Sequence, residues 1–227
     1  MYRRQPPNKF KLSFIDSTVV VLSVDLFGTL VTAASPGRPG EAVAYALRER
    51  GHTVPPSFLD AYRSHQFDVH PTVEVPLQQH TRAALRSVGI DASLQSVHAA
   101  LLDAFDTPVS PTPVANPLLE ILAGTDTPSA VLSNCSLTGL ASQTIARAGV
   151  DPAGFNAIVS SVDIGVRKPD ARCFRAVAAQ LGSDVADVIH VGDSPRTDGG
   201  VANVGGRFVH VDPHDPTSIE ELQQALS

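Results

Sequence analysis

Apolar and polar positions along this chain follow two rhythms. Val19-Val-Val-Leu-Ser-Val24 is a short, nearly unbroken apolar run that stops at Asp25, with Leu26-Phe27-Gly28-Thr29-Leu30 following as a turn. A bounded run of this kind reads as a buried strand of a parallel sheet. After the Pro- and Gly-rich loop 33–40 the rhythm becomes helical. Val43, Ala44 and Leu47 share a face of a helix over 41–50, and Gly51 stops it. Ser57 with Asp60 has the spacing of an N-cap for a helix over 58–69. Pro76 opens a third helix carrying Leu77, Ala84, Leu85 and Val88, closed by Gly89. Asp91 or Ser93 opens a fourth with Leu94, Val97, Leu101, Leu102 and Phe105. Roughly seventy residues thus follow a helical period with no convincing strand.

Beyond Thr107-Pro-Val-Ser-Pro-Thr-Pro113, which reads as a return hinge, strands and helices alternate. Strands are expected over 129–134, 155–161, 185–191 and 207–211, with helices over 115–123, 137–148 and 170–181. Thr217-Ser-Ile-Glu220 has capping-box spacing ahead of a last helix. Such alternation predicts an α/β fold, a parallel sheet covered on both faces. The expected organisation is a tail over 1–17, an α/β core from 18–32 and 111–227, and a helical cap over 33–110 inserted after the first strand. The alternative is that the inserted helices pack on the same core.

Composition narrows the classes. With 227 residues, 43% of them hydrophobic, the chain can bury a full core as one domain with an insertion. A formal net charge of −6 and no basic patch argue against nucleic acid as a partner. Cys135 and Cys173 are too few for a disulfide framework, so free thiols in a reducing, cytoplasmic setting are expected. Arg3, Arg4, Lys9 and Lys11 are not followed by a signal-peptide core, since Asp16 interrupts. No apolar run approaches the ~18–20 residues of a membrane span. The expected partner is a small, anionic molecule, bound by a monomer or homodimer.

Parallel strands present their C-terminal ends on one sheet edge, where open α/β sheets bind ligands. Asp25, Ser133 and Asp193 each end an expected strand, and Lys168, in Gly165-Val-Arg-Lys-Pro-Asp170, precedes a helix. For a lone strand-end Asp the plainer reading is a turn or cap residue. Here the convergence supplies a carboxylate nucleophile, a hydroxyl donor, a cation, and further carboxylates at Asp193 and Asp198. Such a set suits attack on an electrophile whose reaction carries negative charge. Oxygen ligation by paired carboxylates suits Mg²⁺.

Four segments, in order, resemble the signature motifs of the haloacid dehalogenase superfamily: Asp25-Leu-Phe-Gly-Thr-Leu30, Ser133-Asn134, Lys168-Pro169, and Gly192-Asp-Ser-Pro-Arg-Thr-Asp198. The resemblance spans about residues 19–211 and implies a Rossmann-like core with a helical C1-type cap. It implies Asp25 as the nucleophile forming an aspartyl intermediate, Ser133 as a donor to the transferred group, and Lys168 as the cation joining nucleophile and substrate. It implies Asp25, the Phe27 carbonyl, Asp193 and Asp198 as the Mg²⁺ site. Phe27, Gly28, Thr29, Asn134 and Arg38 are the expected substrate contacts, Arg38 as a bidentate grip in the loop entering the cap.

One position departs from the phosphatases of that superfamily. They carry a second Asp two residues after the nucleophile as general acid/base, and Phe27 stands there. General acid–base catalysis contributes ~10²–10⁴-fold. His65, His70 and His80 are substitutes the cap offers, though surface histidines are the plainer reading. The L-2-haloacid dehalogenases of the superfamily place an aromatic residue there, because halide leaves without a proton, and use no metal, because their substrate has no phosphate for one to clamp. They tend to lack the acidic residue at the place of Asp193. The leading expectation is therefore a Mg²⁺-dependent phosphatase of a small phosphorylated metabolite. The alternatives are a metal-independent 2-haloacid dehalogenase-like hydrolase, and a catalytically weak member that binds a phosphometabolite or a protein partner.

Overall fold

A computed structural model describes residues 20–226. The tail expected over 1–17 lies outside the described residues. In chain order, β1 (Val21–Val24) and β2 (Val31–Ala33) precede α1 (Pro39–Glu49), α2 (Phe58–Arg63), α3 (Leu77–Ser87) and α4 (Leu94–Ala104). Then come β3 (Val109–Pro111), α5 (Ala115–Ala123), β4 (Ser129–Ser133), α6 (Leu140–Arg147), β5 (Ala157–Ser160) and α7 (Ser161–Ile164). The chain continues with α8 (Ala171–Gln180), β6 (Val188–Gly192), β7 (Arg207–His210) and α9 (Glu220–Leu226).

The expected parallel sheet is present, in the order β5-β4-β1-β6-β7. Its strands read as apolar runs because both faces are covered. On β1 and β4, Leu22, Val24 and Val131 face a layer with Leu118, Leu122, Ile145 and Leu222 from α5, α6 and α9. Val21, Ala130 and Leu132 point the other way, onto Phe174 and Val177 of α8 and onto Val201. β1 lies at the centre, so Asp25 leaves the middle of the sheet with its amide bonded to the Val191 carbonyl of β6 at 2.9 Å.

The inserted helices have a hydrophobic cluster of their own, including Val43, Leu47, Phe58, Leu85, Val97 and Leu101, joined by Leu137 from the loop after β4. Two further strands sit at the neck of the insertion: β2 pairs antiparallel with β3, Val31 opposite Pro111. They escape a periodicity search because each has three residues, and β3 contains a proline. A second link is the segment between α2 and α3. There Glu74 N–H donates to the Gly165 carbonyl and Arg167 N–H to the Thr72 carbonyl, each at 2.9 Å.

Several local expectations need correction. The helix expected over 58–69 ends at Arg63, where Ser64 turns extended, and the Ser57 side chain makes no cap bond. Ser93 is the N-cap of α4, accepting from the Ser96 amide. Thr217 does not cap α9: its hydroxyl donates to Asp215 Oδ1 at 2.7 Å within the preceding turn.

Candidate active site

The turn after β1 is built to turn sharply. Leu30 and Val31 amides both donate to the Leu26 carbonyl, and Gly28 adopts φ +90°, a region that disfavours any Cβ. A Cβ on Gly28 would lie 2.7 Å from Asp193 Oδ2, so the missing side chain is also what lets Asp193 approach. Thr29, fully buried, accepts from the Asp193 amide at 3.1 Å and donates to Asp193 Oδ1 at 3.2 Å. Thr29 and Gly28 thus hold and admit Asp193, which is a different task from the substrate contact expected of them.

Lys168 is the hub. Its Nζ donates to Asp25 Oδ1 at 2.6 Å, to Asp198 Oδ1 at 2.6 Å and to the Leu132 carbonyl at 2.9 Å, which uses all three ammonium protons. The loop carrying it is pinned by Asn134, whose Oδ1 accepts from the Lys168 amide at 2.8 Å while its Nδ2 donates to the Lys168 carbonyl at 3.1 Å. Asn134 therefore positions Lys168, in addition to lining the cleft.

Both Asp198 oxygens are engaged. Oδ1 meets Lys168 Nζ and His190 Nε2, and Oδ2 accepts from the Ser194 amide at 3.0 Å. His190 lies fully inside, its Nδ1 2.9 Å from Ser23 Oγ and its ring edge-on to Phe174. It had no place among the sequence-derived candidates. The available signal is a polar residue within the apolar run Val188-Ile-His-Val191.

The electrostatics follow from burial. Desolvation pushes the Asp25 carboxyl up to about 6 against the opposing pull of Lys168. Burial works the same way on Asp198, but the His190 hydrogen bond and Lys168 outweigh it and hold that carboxyl down at about 2. Burial would discharge Lys168, yet the carboxylates on either side win and raise its pKa. Burial depresses His190 to about 4, which keeps its ring neutral near pH 7.

Asp25, Phe27, Ser133, Lys168, Asp193 and Asp198 line a common cleft of about 160 Å³. Ser133 Oγ is buried there without a hydrogen-bond partner among the described residues. Buried hydroxyls are normally satisfied, so the orphan oxygen marks a place for a ligand atom. Asp25, Asp193 and Asp198 each offer a carboxylate oxygen within 4.8 Å of the others. This all-oxygen donor set fits a hard divalent cation.

Other candidates fall elsewhere. Arg38 does not line the cleft: it lies on the outer surface at the N-cap position of α1, paired with Glu41 at 3.0 Å. A loop-borne guanidinium with a near neighbour of opposite charge is held by that neighbour. His80 Nε2 is occupied by the Tyr62 carbonyl at 2.8 Å, and His70 Nδ1 lies 3.0 Å from the Thr72 hydroxyl. Neither they nor His65 lines the cleft. Cys135 lines an adjoining apolar chamber, and burial raises its pKa.

The sequence from 20 to 206 matches the haloacid dehalogenase-like hydrolase family. The chain belongs to that family. No curated protein matches it. Among solved structures, a 2-haloacid dehalogenase from Pseudomonas syringae superposes with a TM-score of 0.63 at 20% identity, covering 92% of this chain and 100% of that one. A predicted phosphoglycolate phosphatase from Haemophilus somnus gives 0.52 at 16% identity, covering 86% of each chain. L-2-haloacid dehalogenase from Xanthobacter autotrophicus gives 0.53 at 22% identity, covering 92% of this chain and 84% of that one. At these identities the superpositions speak for the fold, and the fold hosts both chemistries. For a haloacid dehalogenase-like hydrolase the choice between them must come from the cleft.

Proposed function

We propose that this hydrolase is a Mg²⁺-dependent phosphatase of a small phosphorylated metabolite, with Asp25 as nucleophile and the inserted helices acting as a cap over the cleft. The observation that carries this reading is the placement of Asp193: a carboxylate admitted by Gly28, fixed by Thr29, and grouped with Asp25 and Asp198. A metal-free displacement has no need of a third carboxylate beside the nucleophile, where its charge opposes an anionic substrate. Asp25 and Asp193, with the Phe27 carbonyl, would hold the ion, and Asp198 would support it from behind. When bound, the ion supplies positive charge to a phosphoryl oxygen.

The chain's own residues account for the rest. Asp25 is ionised above about pH 6 and attacks phosphorus, giving an aspartyl-phosphate that water then hydrolyses. Lys168 orients Asp25 and offsets charge that develops on the phosphoryl group. Ser133 Oγ donates to that group, which supplies the partner it lacks. A phosphate-release screen over acyl, sugar and nucleotide phosphates, with and without Mg²⁺ and beside Asp25→Asn, tests the reading. Metal-dependent release that Asp25→Asn abolishes is expected; release indifferent to EDTA would overturn it.

A second reading rests on Phe27, which places a ring rather than a carboxylate in the cleft wall. It favours a 2-haloacid dehalogenase activity through the same Asp25. Halide release from 2-chloropropionate in EDTA would establish it.

A further inference from the structure

Beside the catalytic cleft lies a second space. A chamber of about 270 Å³ shares Phe27 and Asn134 with the cleft as a common wall and continues between Leu77, Phe105, Val109, Leu137 and Leu140. Among the described residues, no charged side chain lines it. Its lining is mostly apolar, and two of its polar side chains are engaged elsewhere: Asn134 is bonded to the Lys168 backbone, and Ser136 Oγ to Glu74 at 2.8 Å. A sugar or nucleotide entering this space would lose hydrogen bonds to water and find few in return, whereas a hydrocarbon gains by leaving water. At about 30 Å³ per water-sized atom, the chamber has room for on the order of nine non-hydrogen atoms.

Among the described residues lining the cleft, no acid stands free to protonate a departing oxygen, with Asp193 assigned above to the ion. The Lys168 ammonium has its three protons committed to Asp25, Asp198 and Leu132. Asp198 has both oxygens committed, Asp25 is the nucleophile, and Phe27 has no proton to give. A leaving group that departs here must be stable as an anion.

Joined, these observations select a substrate class. We propose that the phosphoryl group reaches Asp25 on a short-chain acyl phosphate, whose hydrocarbon chain occupies the chamber behind Phe27. The proposal rests on the phosphatase reading of Asp25 and goes beyond it. Asp25 forms a bond to phosphorus as the bond from phosphorus to the acyl oxygen breaks, and the electron pair leaves on the carboxylate. No proton is required in that step. Water then cleaves the aspartyl-phosphate, returning Asp25 and releasing inorganic phosphate and a proton to solvent.

The test compares acetyl, butanoyl and hexanoyl phosphate with glucose 6-phosphate and glycerol 3-phosphate, all with Mg²⁺ and with Asp25→Asn subtracted as background. Each added methylene is expected to raise kcat/KM about fourfold, as burial of one methylene allows. The acyl series is expected to exceed both alkyl esters. Ala34→Trp, a change at an exposed position on the chamber rim, is expected to flatten the chain-length dependence. Glucose 6-phosphate turned over as well as the acyl series, or a flat chain-length profile in the unaltered enzyme, would overturn the proposal while leaving the phosphatase reading intact. Absence of Asp25-dependent phosphate release from every compound would overturn both.

Discussion

Gly28 and Asp193, far apart in sequence, are in contact so close that an added Cβ on the glycine would sit 2.7 Å from Asp193 Oδ2. The glycine also holds φ +90°. Gly28→Ala therefore meets two penalties at once, backbone strain of about 1–2 kcal/mol and displacement of the carboxylate. Misplacing a catalytic group by about 1 Å can cost ~10²-fold. Gly28→Ala is expected to lower kcat/KM by about that factor and to weaken Mg²⁺ binding, with the circular-dichroism spectrum retained. Wild-type Mg²⁺ affinity in the variant would show that Asp193 does not serve the ion.

Lys168 separates two buried carboxylates, Asp25 and Asp198, and removing it leaves both without their cation, Asp198 keeping only His190 and the Ser194 amide. Breaking a buried pair in this way costs about 3–5 kcal/mol. Lys168→Met should lower stability by that much in urea titrations and abolish turnover. Adding Asp198→Asn should recover part of the stability, because one uncompensated charge is gone, but none of the activity. Strict additivity of the two changes would mean the groups are not coupled as their 2.6 Å contact implies.

Phe27→Asp places a carboxylate where the cleft has a ring. It should raise phosphatase turnover by about 10²-fold or more, the ordinary yield of general acid–base catalysis. The gain should be larger for glucose 6-phosphate than for 4-nitrophenyl phosphate, because only the first leaving group needs a proton. A folded variant with unchanged or reduced rates would show that proton transfer does not limit this enzyme.

His190 makes stability depend on pH. In the unfolded chain its imidazole titrates near 6.5, whereas burial depresses it to about 4 in the fold. Between those values the unfolded state binds the proton and the folded state does not. Acid therefore weakens the fold, by up to roughly 3 kcal/mol once pH has fallen through 4. Above pH 6.5 the contribution is complete. The stability difference between wild type and His190→Asn should accordingly shrink as pH drops from 6.5 to 4, measured by urea unfolding without divalent ions. A difference constant over that window would mean that His190 is already charged in the folded protein.

How much of this was legible beforehand depends on the kind of contact. The sheet was legible because apolar runs such as Val21–Val24 and Val188–Val191 are bounded by turns; Asp25, Ser133 and Asp193 were legible because strand ends share an edge, and Lys168 and Asp198 because their segments resemble the family's motifs. His190 was not, since its role arises from the register that sets it opposite Ser23 on β1, and a register between distant strands has no local signal. Arg38 was assigned by proximity in sequence to the cleft, but an exposed arginine is claimed by whichever carboxylate lies nearest, here Glu41. The further roles of Asn134 and Thr29, which hold Lys168 and Asp193 in place, had no signal because they depend on contacts between segments distant in sequence.

Glu74 was overlooked for the same reason, and it ties the inserted helices to the loop that carries Lys168. Its carboxylate, 3% exposed, accepts from Arg167 Nη2 at 3.1 Å and from Ser136 Oγ at 2.8 Å, and it also meets Ser161 Oγ. Arg167 precedes Lys168, and its amide donates to Thr72 in the same segment as Glu74. Any movement of this segment away from the core must break these bonds together. Glu74→Ala leaves the Ser161 hydroxyl only the Cys135 carbonyl, at 3.2 Å, as acceptor, while Arg167, 41% exposed, can regain water. The expected stability loss is therefore about 1–3 kcal/mol, the loss of hydrogen bonds to a charged acceptor rather than the cost of a stranded buried ion. If the segment fixes the helices over the cleft, Glu74→Ala should raise KM more than it lowers kcat, and hydrogen exchange should quicken over 65–76 before it does in β1. Glu74→Gln, which can still accept from Ser136 and Ser161, should restore most of the KM. Equal losses in kcat and KM for both variants, with exchange unchanged over 65–76, would mean that these bonds stabilise the fold without holding the helices in place.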